Sequence, residues 1–148
     1  EVEFLISPNL GEAPKPMAKI ASGGELSRIM LPIKTVMADR DEIETLIFDE
    51  IDVGISGRTA QKVSEKMAVI GKEHQVICIT HLAQIAAMAD AHYAIEKTVA
   101  DGKTRTGIRR LNESEEIDEL ARILGGALIT ETVLESAREM KALAAKTK

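Results

Sequence analysis

The sequence has almost no aromatic side chains. Phe4, Phe48 and Tyr93 are the only ones, and tryptophan is absent, so a core must come from Ile, Leu, Val, Ala and Met. There is one cysteine, Cys78, which excludes a disulfide framework within the chain. It stands in the apolar run Val76-Ile77-Cys78-Ile79 and reads as a small buried hydrophobe. No apolar stretch approaches the roughly 18 residues of a membrane span, and no signal peptide is visible; a cytoplasmic protein with no membrane partner is expected. Positive charge is not in excess: 19 basic against 24 acidic residues leave a net charge of -5. That argues against a broad basic surface tracking a phosphate backbone. Lys103, Arg105, Arg109 and Arg110 form a local basic cluster, which a charged hairpin face explains. No Gly-x-x-x-x-Gly-Lys-Ser/Thr stretch occurs, so the usual nucleotide phosphate loop is missing.

What is present suits one ordinary domain: 148 residues, 45% hydrophobic and 29% charged, enough for a single core. The chain starts at Glu1 and enters a strand-like run at once, as a segment cut from a longer protein does. Residues 2–7 read as a strand and 8–21, with Pro8, Gly11, Pro14 and Pro16, as a loop. A helix should start at Ser22, because Ser22-Gly23-Gly24-Glu25 fits a capping box. Leu26, Ile29, Met30, Ile33 and Met37 recur at helical spacing, and Pro32 should kink or split the helix. Thr45-Leu46-Ile47-Phe48 reads as a strand buried on both faces. A loop with Gly54 and Gly57 leads to a helix over 58–72, with Ala60, Val63, Met67 and Ile70 on its core face and Gly71 at its end. A second buried strand spans 76–80 and a helix 82–89. Two strands, 92–97 and 104–111, join through the turn signal Ala100-Asp101-Gly102-Lys103. Helices over 115–124 and 130–146 close the chain. The alternation predicts an α/β domain: a mainly parallel sheet flanked by helices, plus a C-terminal β-hairpin and two helices.

Ligands in such sheets bind beyond the carboxyl ends of the strands, where Asp49, Glu50, Thr80 and His81 fall. An aliphatic strand ending in a carboxylate can help hold Mg²⁺ beside nucleotide phosphates. A neighbouring carboxylate can act as general base. Adjacent strand residues point to opposite faces, so the chain must turn for Asp49 and Glu50 to reach one phosphate. Read alone, these are equally the acidic residues that end an ordinary strand. Ser22-Gly23-Gly24-Glu25 is a good helix cap. The same N-terminal amides also bind anions, and two glycines allow close approach; Glu25, being negative, reads as the capping partner. His81, just past a strand, can donate to a phosphate or a water, or be an ordinary strand-end histidine. His74 and His92 have no such context and read as structural or exposed.

The ordered combination is more specific than its parts. A Ser-Gly-Gly-Glu helix start, then a strand ending Asp-Glu, then a strand ending in His resembles the C-terminal half of an ABC-type ATPase head. The wider series Ile20-Ala21-Ser22-Gly23-Gly24-Glu25-Leu26-Ser27-Arg28, Phe48-Asp49-Glu50-Ile51-Asp52-Val53-Gly54-Ile55-Ser56-Gly57, Ile79-Thr80-His81-Leu82 and Glu119-Leu120-Ala121-Arg122 resembles the RecN-like branch of SMC-like bacterial repair ATPases over nearly the whole chain. Pro32 and Ala83 depart from the pattern at positions outside the chemistry. The resemblance implies that Ser22, Gly23 and Gly24 are the signature motif and contact ATP held on an opposite head. It makes Asp49 a Mg²⁺ ligand, Glu50 the base and His81 the γ-phosphate sensor, with Asp52 in a loop at the interface between heads. It further implies an N-terminal P-loop lobe and a coiled-coil arm outside this chain, a homodimer of heads, DNA engaged by the assembled protein, and a nucleoid-associated setting in a bacterium. The isolated segment is then expected not to hydrolyse ATP. Rival readings are another SMC- or RecF-type head, a non-catalytic α/β interaction module whose motifs are caps and strand ends, and a complete NTPase with an unusual phosphate loop.

Overall fold

The computed structural model describes residues 3–7, 11–19, 22–40, 42–100 and 102–148. Its centre is a β-α-β unit. Strand β3 (Thr45–Phe48) pairs in parallel with β4 (Gln75–Cys78), in the register Leu46 to Val76 and Phe48 to Cys78. Helix α2 (Gly57–Ile70) makes the crossover. Its predicted core face is the observed one: Ala60, Val63, Met67 and Ile70 are all buried. Gly71 ends it, donating its N–H to the Met67 carbonyl. Before this unit lie a short antiparallel pair, β1 (Leu5–Ile6) with β2 (Lys15–Pro16), and helix α1 (Gly23–Met37). After it come the short helix α3 (Ala83–Ala87), the antiparallel hairpin β5 (Tyr93–Ala100) with β6 (Lys103–Arg110), and helices α4 (Glu113–Gly125) and α5 (Glu131–Thr147).

Two hydrophobic clusters hold these elements. Leu31 of α1, Leu46 and Phe48 of β3, Ile51, the α2 face and Ile85 of α3 form one. Ala83, Ala87 and Met88 pack with Leu120, Ala121, Ala137 and Ala144 in the other. Alanines at this second contact let α3, α4 and α5 approach closely, which explains how a core with so few aromatics packs. His74 and His92, read as structural or exposed, are both buried. His74 ring nitrogens lie 2.7 Å from the Ile43 carbonyl and 3.2 Å from that of Ala38. His92 Nε2 lies 3.1 Å from Lys141 Nζ, which also pairs with Glu116 at 3.0 Å.

Three expectations need correction. The fold is mixed α/β, but the described residues contain three two-stranded sheets, and only β3–β4 is parallel. Strand β3 is buried on one face, not two: Leu46 and Phe48 face the core while Ile47 is 68% exposed. A continuous apolar run looks the same in sequence whether its second face is covered by this chain or by something else. Pro32 does not split α1, which runs unbroken through it. Anchors just before it hold the helix in place: Arg28 and Ser27 bond to the loop after β3, and Leu31 is buried in the core. Of the predicted α1 stripe, Ile29, Met30 and Ile33 are half-buried, while Leu26 and Met37 are exposed. The predicted strand start at Val2 and the turn residue Asp101 lie outside the described residues. Among the described residues, no helix is long and apolar enough to cross a membrane.

Candidate functional site

The candidate residues converge where β3 and β4 end. The start of α1 is the first wall. Ser22 has extended backbone, its hydroxyl accepts from the Glu25 N–H, and the Glu25 carboxylate accepts from the Ser22 N–H at 3.0 Å. Both halves of the capping box are therefore present. Hydrogen bonds from the Ser22 backbone and then its side chain hold the Glu25 carboxyl below its usual range. The cap stays ionised at neutral pH.

The second wall is the loop after β3. Glu50 has φ 56°, in the left-handed region where non-glycine residues are uncommon. This is the turn that the sequence demanded if Asp49 and Glu50 were to leave the strand on one side. It is also stored backbone strain of the kind found at functional sites. Two side chains of α1 lock this loop to the helix with three hydrogen bonds. Ser27 Oγ donates to the Asp49 carbonyl at 3.1 Å, and Arg28 Nη1 donates to the carbonyls of Ile51 at 3.0 Å and Val53 at 2.7 Å. Gly24 is buried against the same loop, where a Cβ would sit 2.5 Å from the Glu50 carbonyl oxygen. At Gly23 a Cβ would sit 3.0 Å from Glu50 Oε2. The two glycines therefore bring the α1 N-terminus directly onto Glu50. Glycine at these positions was legible in the sequence as close approach to an anion. The carboxylate and carbonyl of Glu50 are part of what is approached. The clamp by Ser27 and Arg28 carried no motif of its own; the signal available was two adjacent polar residues between the apolar Leu26 and Ile29.

The third wall is the turn after β4. Thr80 Oγ1 donates to Asp52 Oδ2 at 2.6 Å, and the His81 N–H donates to the same oxygen at 2.8 Å. The His81 ring, 71% exposed, brings Nδ1 within 3.1 Å of that oxygen. Asp52 was expected on a surface between two heads. Its side chain is instead 2% exposed and bonded within its own chain, because the turn over 51–54 folds it under the β4 end. Burial pushes the Asp52 carboxyl up, but the bonds from Thr80 and His81 and the His81 charge outweigh it, leaving the group below its ordinary value. Cys78 lies on β4, and its surroundings disfavour the nucleophilic thiolate. Burial first, then the negative charges of Asp52 and Asp49, push its thiol up to about 12.

The site therefore brings Ser22, Gly23, Gly24, Asp49, Glu50, Asp52 and His81 to the two loops and one helix start at the end of the parallel pair. No three potential metal-ligating side chains converge among the described residues. Asp49 with Glu50 fits an ion that takes one or two carboxylates and fills its remaining positions with water and phosphate oxygen, as Mg²⁺ does. The basic cluster on the hairpin lies elsewhere. Its Arg109 is tied to Glu96 at 3.3 Å and Glu115 at 2.7 Å, as a charged hairpin face predicts.

No family model matches the chain. Curated proteins do. It is 47% identical over 148 residues to the DNA repair protein RecN of Halalkalibacterium halodurans, covering 100% of this chain and 26% of that protein. It is 51% identical over 140 residues to RecN of Treponema pallidum, covering 95% of this chain and 24% of that one. The match to RecN of Bacillus subtilis is 45% over 139 residues, 94% of this chain and 24% of that protein. Among solved structures, it superposes with a TM-score of 0.51 on a chain from the structural biochemistry of ATP-driven dimerization and DNA-stimulated activation of SMC ATPases. That match has 20% identity over 77% of this chain and 68% of the other, a likeness of fold alone. The chain spans about a quarter of the curated relatives it matches, and over that quarter it is similar to the RecN DNA repair proteins.

Proposed function

We propose that this chain is the C-terminal lobe of an ATPase head in a RecN-type DNA repair protein, and that it supplies one half of an ATP site. The other half comes from a P-loop lobe elsewhere in the longer protein and from a second, identical head. In this reading Asp49 helps hold Mg²⁺, which neutralises phosphate charge when bound. Glu50 accepts the proton of the attacking water, and His81 faces the γ-phosphate. Ser22 and Gly24 offer the α1 N-terminus to the γ-phosphate carried by the partner head. DNA is engaged by the assembled protein, in the bacterial cytoplasm at the nucleoid. The parallel pair β3–β4 is then part of a larger, mainly parallel sheet completed by the P-loop lobe.

The single observation that carries this reading is the convergence of the capped α1 start, the strained Glu50 and His81 at the end of one parallel strand pair. It is supported by relatives at 45% to 51% identity. The test is steady-state ATP hydrolysis by the full-length protein, by its Glu50→Gln variant and by this chain alone. Hydrolysis in the full-length protein should fall by at least about 100-fold in Glu50→Gln, the scale of a lost general base, and be absent from this chain alone. Hydrolysis indifferent to Glu50→Gln, in protein of verified fold, turns the motifs back into helix caps and strand ends.

A further inference from the structure

Asp52 is a buried carboxylate whose ionisable partner, among the described residues, is a single exposed histidine. Its Oδ2 takes the Thr80 hydroxyl at 2.6 Å and the His81 N–H at 2.8 Å, and lies 3.1 Å from His81 Nδ1. Thr80 Oγ1 in turn accepts from the Leu82 N–H at 3.1 Å, at the start of α3. One oxygen thus fixes both the backbone that carries His81 and one edge of its ring. The side-chain exposures, 2% for Asp52 and 71% for His81, give the arrangement a direction: the Nδ1 edge faces inward and the opposite edge faces solvent beyond the strand ends.

We propose that Asp52 is the positioning residue for His81: it selects the imidazole tautomer with the proton on Nδ1 and leaves Nε2 facing the reacting group. A carboxylate beside one imidazole nitrogen sets the tautomer and stabilises the ring when it becomes cationic. The neutral ring therefore presents an acceptor outward, suited to a water proton. It donates to a phosphate oxygen only as the imidazolium. This makes the loop after β3 act at two points: Glu50 at its start and, through Asp52, His81 on the neighbouring strand. The part of the inference that concerns hydrolysis rests on the ATPase reading above; the tautomer does not.

The test uses the full-length protein labelled with ¹⁵N-histidine, and the His81 ring resonances are assigned by their loss in His81→Ala. In the wild type, the Nδ1 shift should be that of a protonated nitrogen and the Nε2 shift that of a bare one at a pH where the ring is neutral. A proton on Nε2 instead overturns the proposal without any variant being needed. Asp52→Ala removes the one oxygen that accepts from Nδ1, and should free the proton to move to Nε2. In the same protein Asp52→Ala should lower kcat for ATP hydrolysis by about 10- to 100-fold with KM little changed. Combined with His81→Ala, it should add no further loss, since one residue acts through the other. Multiplying losses in the double variant, or an unchanged His81 spectrum in Asp52→Ala, sinks the proposal. If Glu50→Gln shows that there is no hydrolysis of this kind to lose, the ATPase reading fails and the tautomer alone decides Asp52.

Discussion

At the scale of single residues, the two glycines of the α1 start face different obstacles. A methyl at Gly24 meets a backbone oxygen, that of Glu50, at 2.5 Å, and a carbonyl in a turn held by Ser27 and Arg28 has little room to withdraw. A methyl at Gly23 meets the end of the Glu50 side chain at 3.0 Å, which can swing aside. Gly24→Ala should therefore cost about 1–3 kcal/mol, the usual cost of overpacking, and Gly23→Ala well under that. Urea denaturation of the two variants checks the order, and equal costs would mean that the loop yields freely. Cys78 gives a second test. Its thiol is pushed from 9.0 to about 12, chiefly by burial, and the thiolate is the reactive form. Below its pKa each unit of upward shift removes tenfold of thiolate, so alkylation of the folded protein at pH 8 should run about 1,000-fold slower than for a free cysteine. Labelling at the rate of the urea-unfolded chain would show the strand to be open.

At the scale of elements, the join between α1 and the loop after β3 matters most, because the proposed base sits in that loop. Arg28 holds two of its carbonyls with one guanidinium nitrogen. Arg28→Met keeps the aliphatic stem and removes both bonds, and should cost roughly 1.5–3 kcal/mol, as for hydrogen bonds to a charged group. Measured by urea denaturation, a change below about 0.5 kcal/mol would reduce the clamp to a surface contact. The elements themselves were largely legible in the sequence. Helix α2 announces its core face by spacing, the hairpin by its turn residues, and α1 by the Ser22–Glu25 box. What was not legible depends on position in three dimensions. Periodicity says that Ile47 is apolar, not whether anything covers it. Proline chemistry says that α1 loses a bond at Pro32, not that anchors just before it hold the helix in place. Ser22, Asp49, Glu50 and His81 stand at a helix start and beyond strand ends, as the pattern predicted, but the inward turn of Asp52 onto Thr80 and His81 leaves no trace in residue spacing.

At the scale of the whole molecule, the uncovered apolar surface is the feature to explain. On the parallel pair, Ile47 is 68%, Ile77 44% and Ile79 50% exposed, and Ile47 pairs with Ile77 across the register. On the hairpin, Ile95 and Ile108 are also paired, at 57% and 68% exposure. β-branched side chains set side by side on an open sheet face are what a covered strand carries. The match covers about a quarter of each curated relative, and under the proposed function a P-loop lobe supplies the cover. Ile47→Thr with Ile77→Thr tests this through the contrast between two settings. Threonine keeps strand propensity, so in this chain alone, where the face is open, the pair should change stability by about 0.5 kcal/mol or less and reduce self-association and dye binding. In the full-length protein the same pair should cost about 2–5 kcal/mol, because two side chains lose apolar burial and two hydroxyls become buried. Thermal denaturation of both proteins reads the contrast. A small change in both settings would mean that the face stays open in the longer protein, and the larger parallel sheet, together with the split ATP site built on it, would have to be given up.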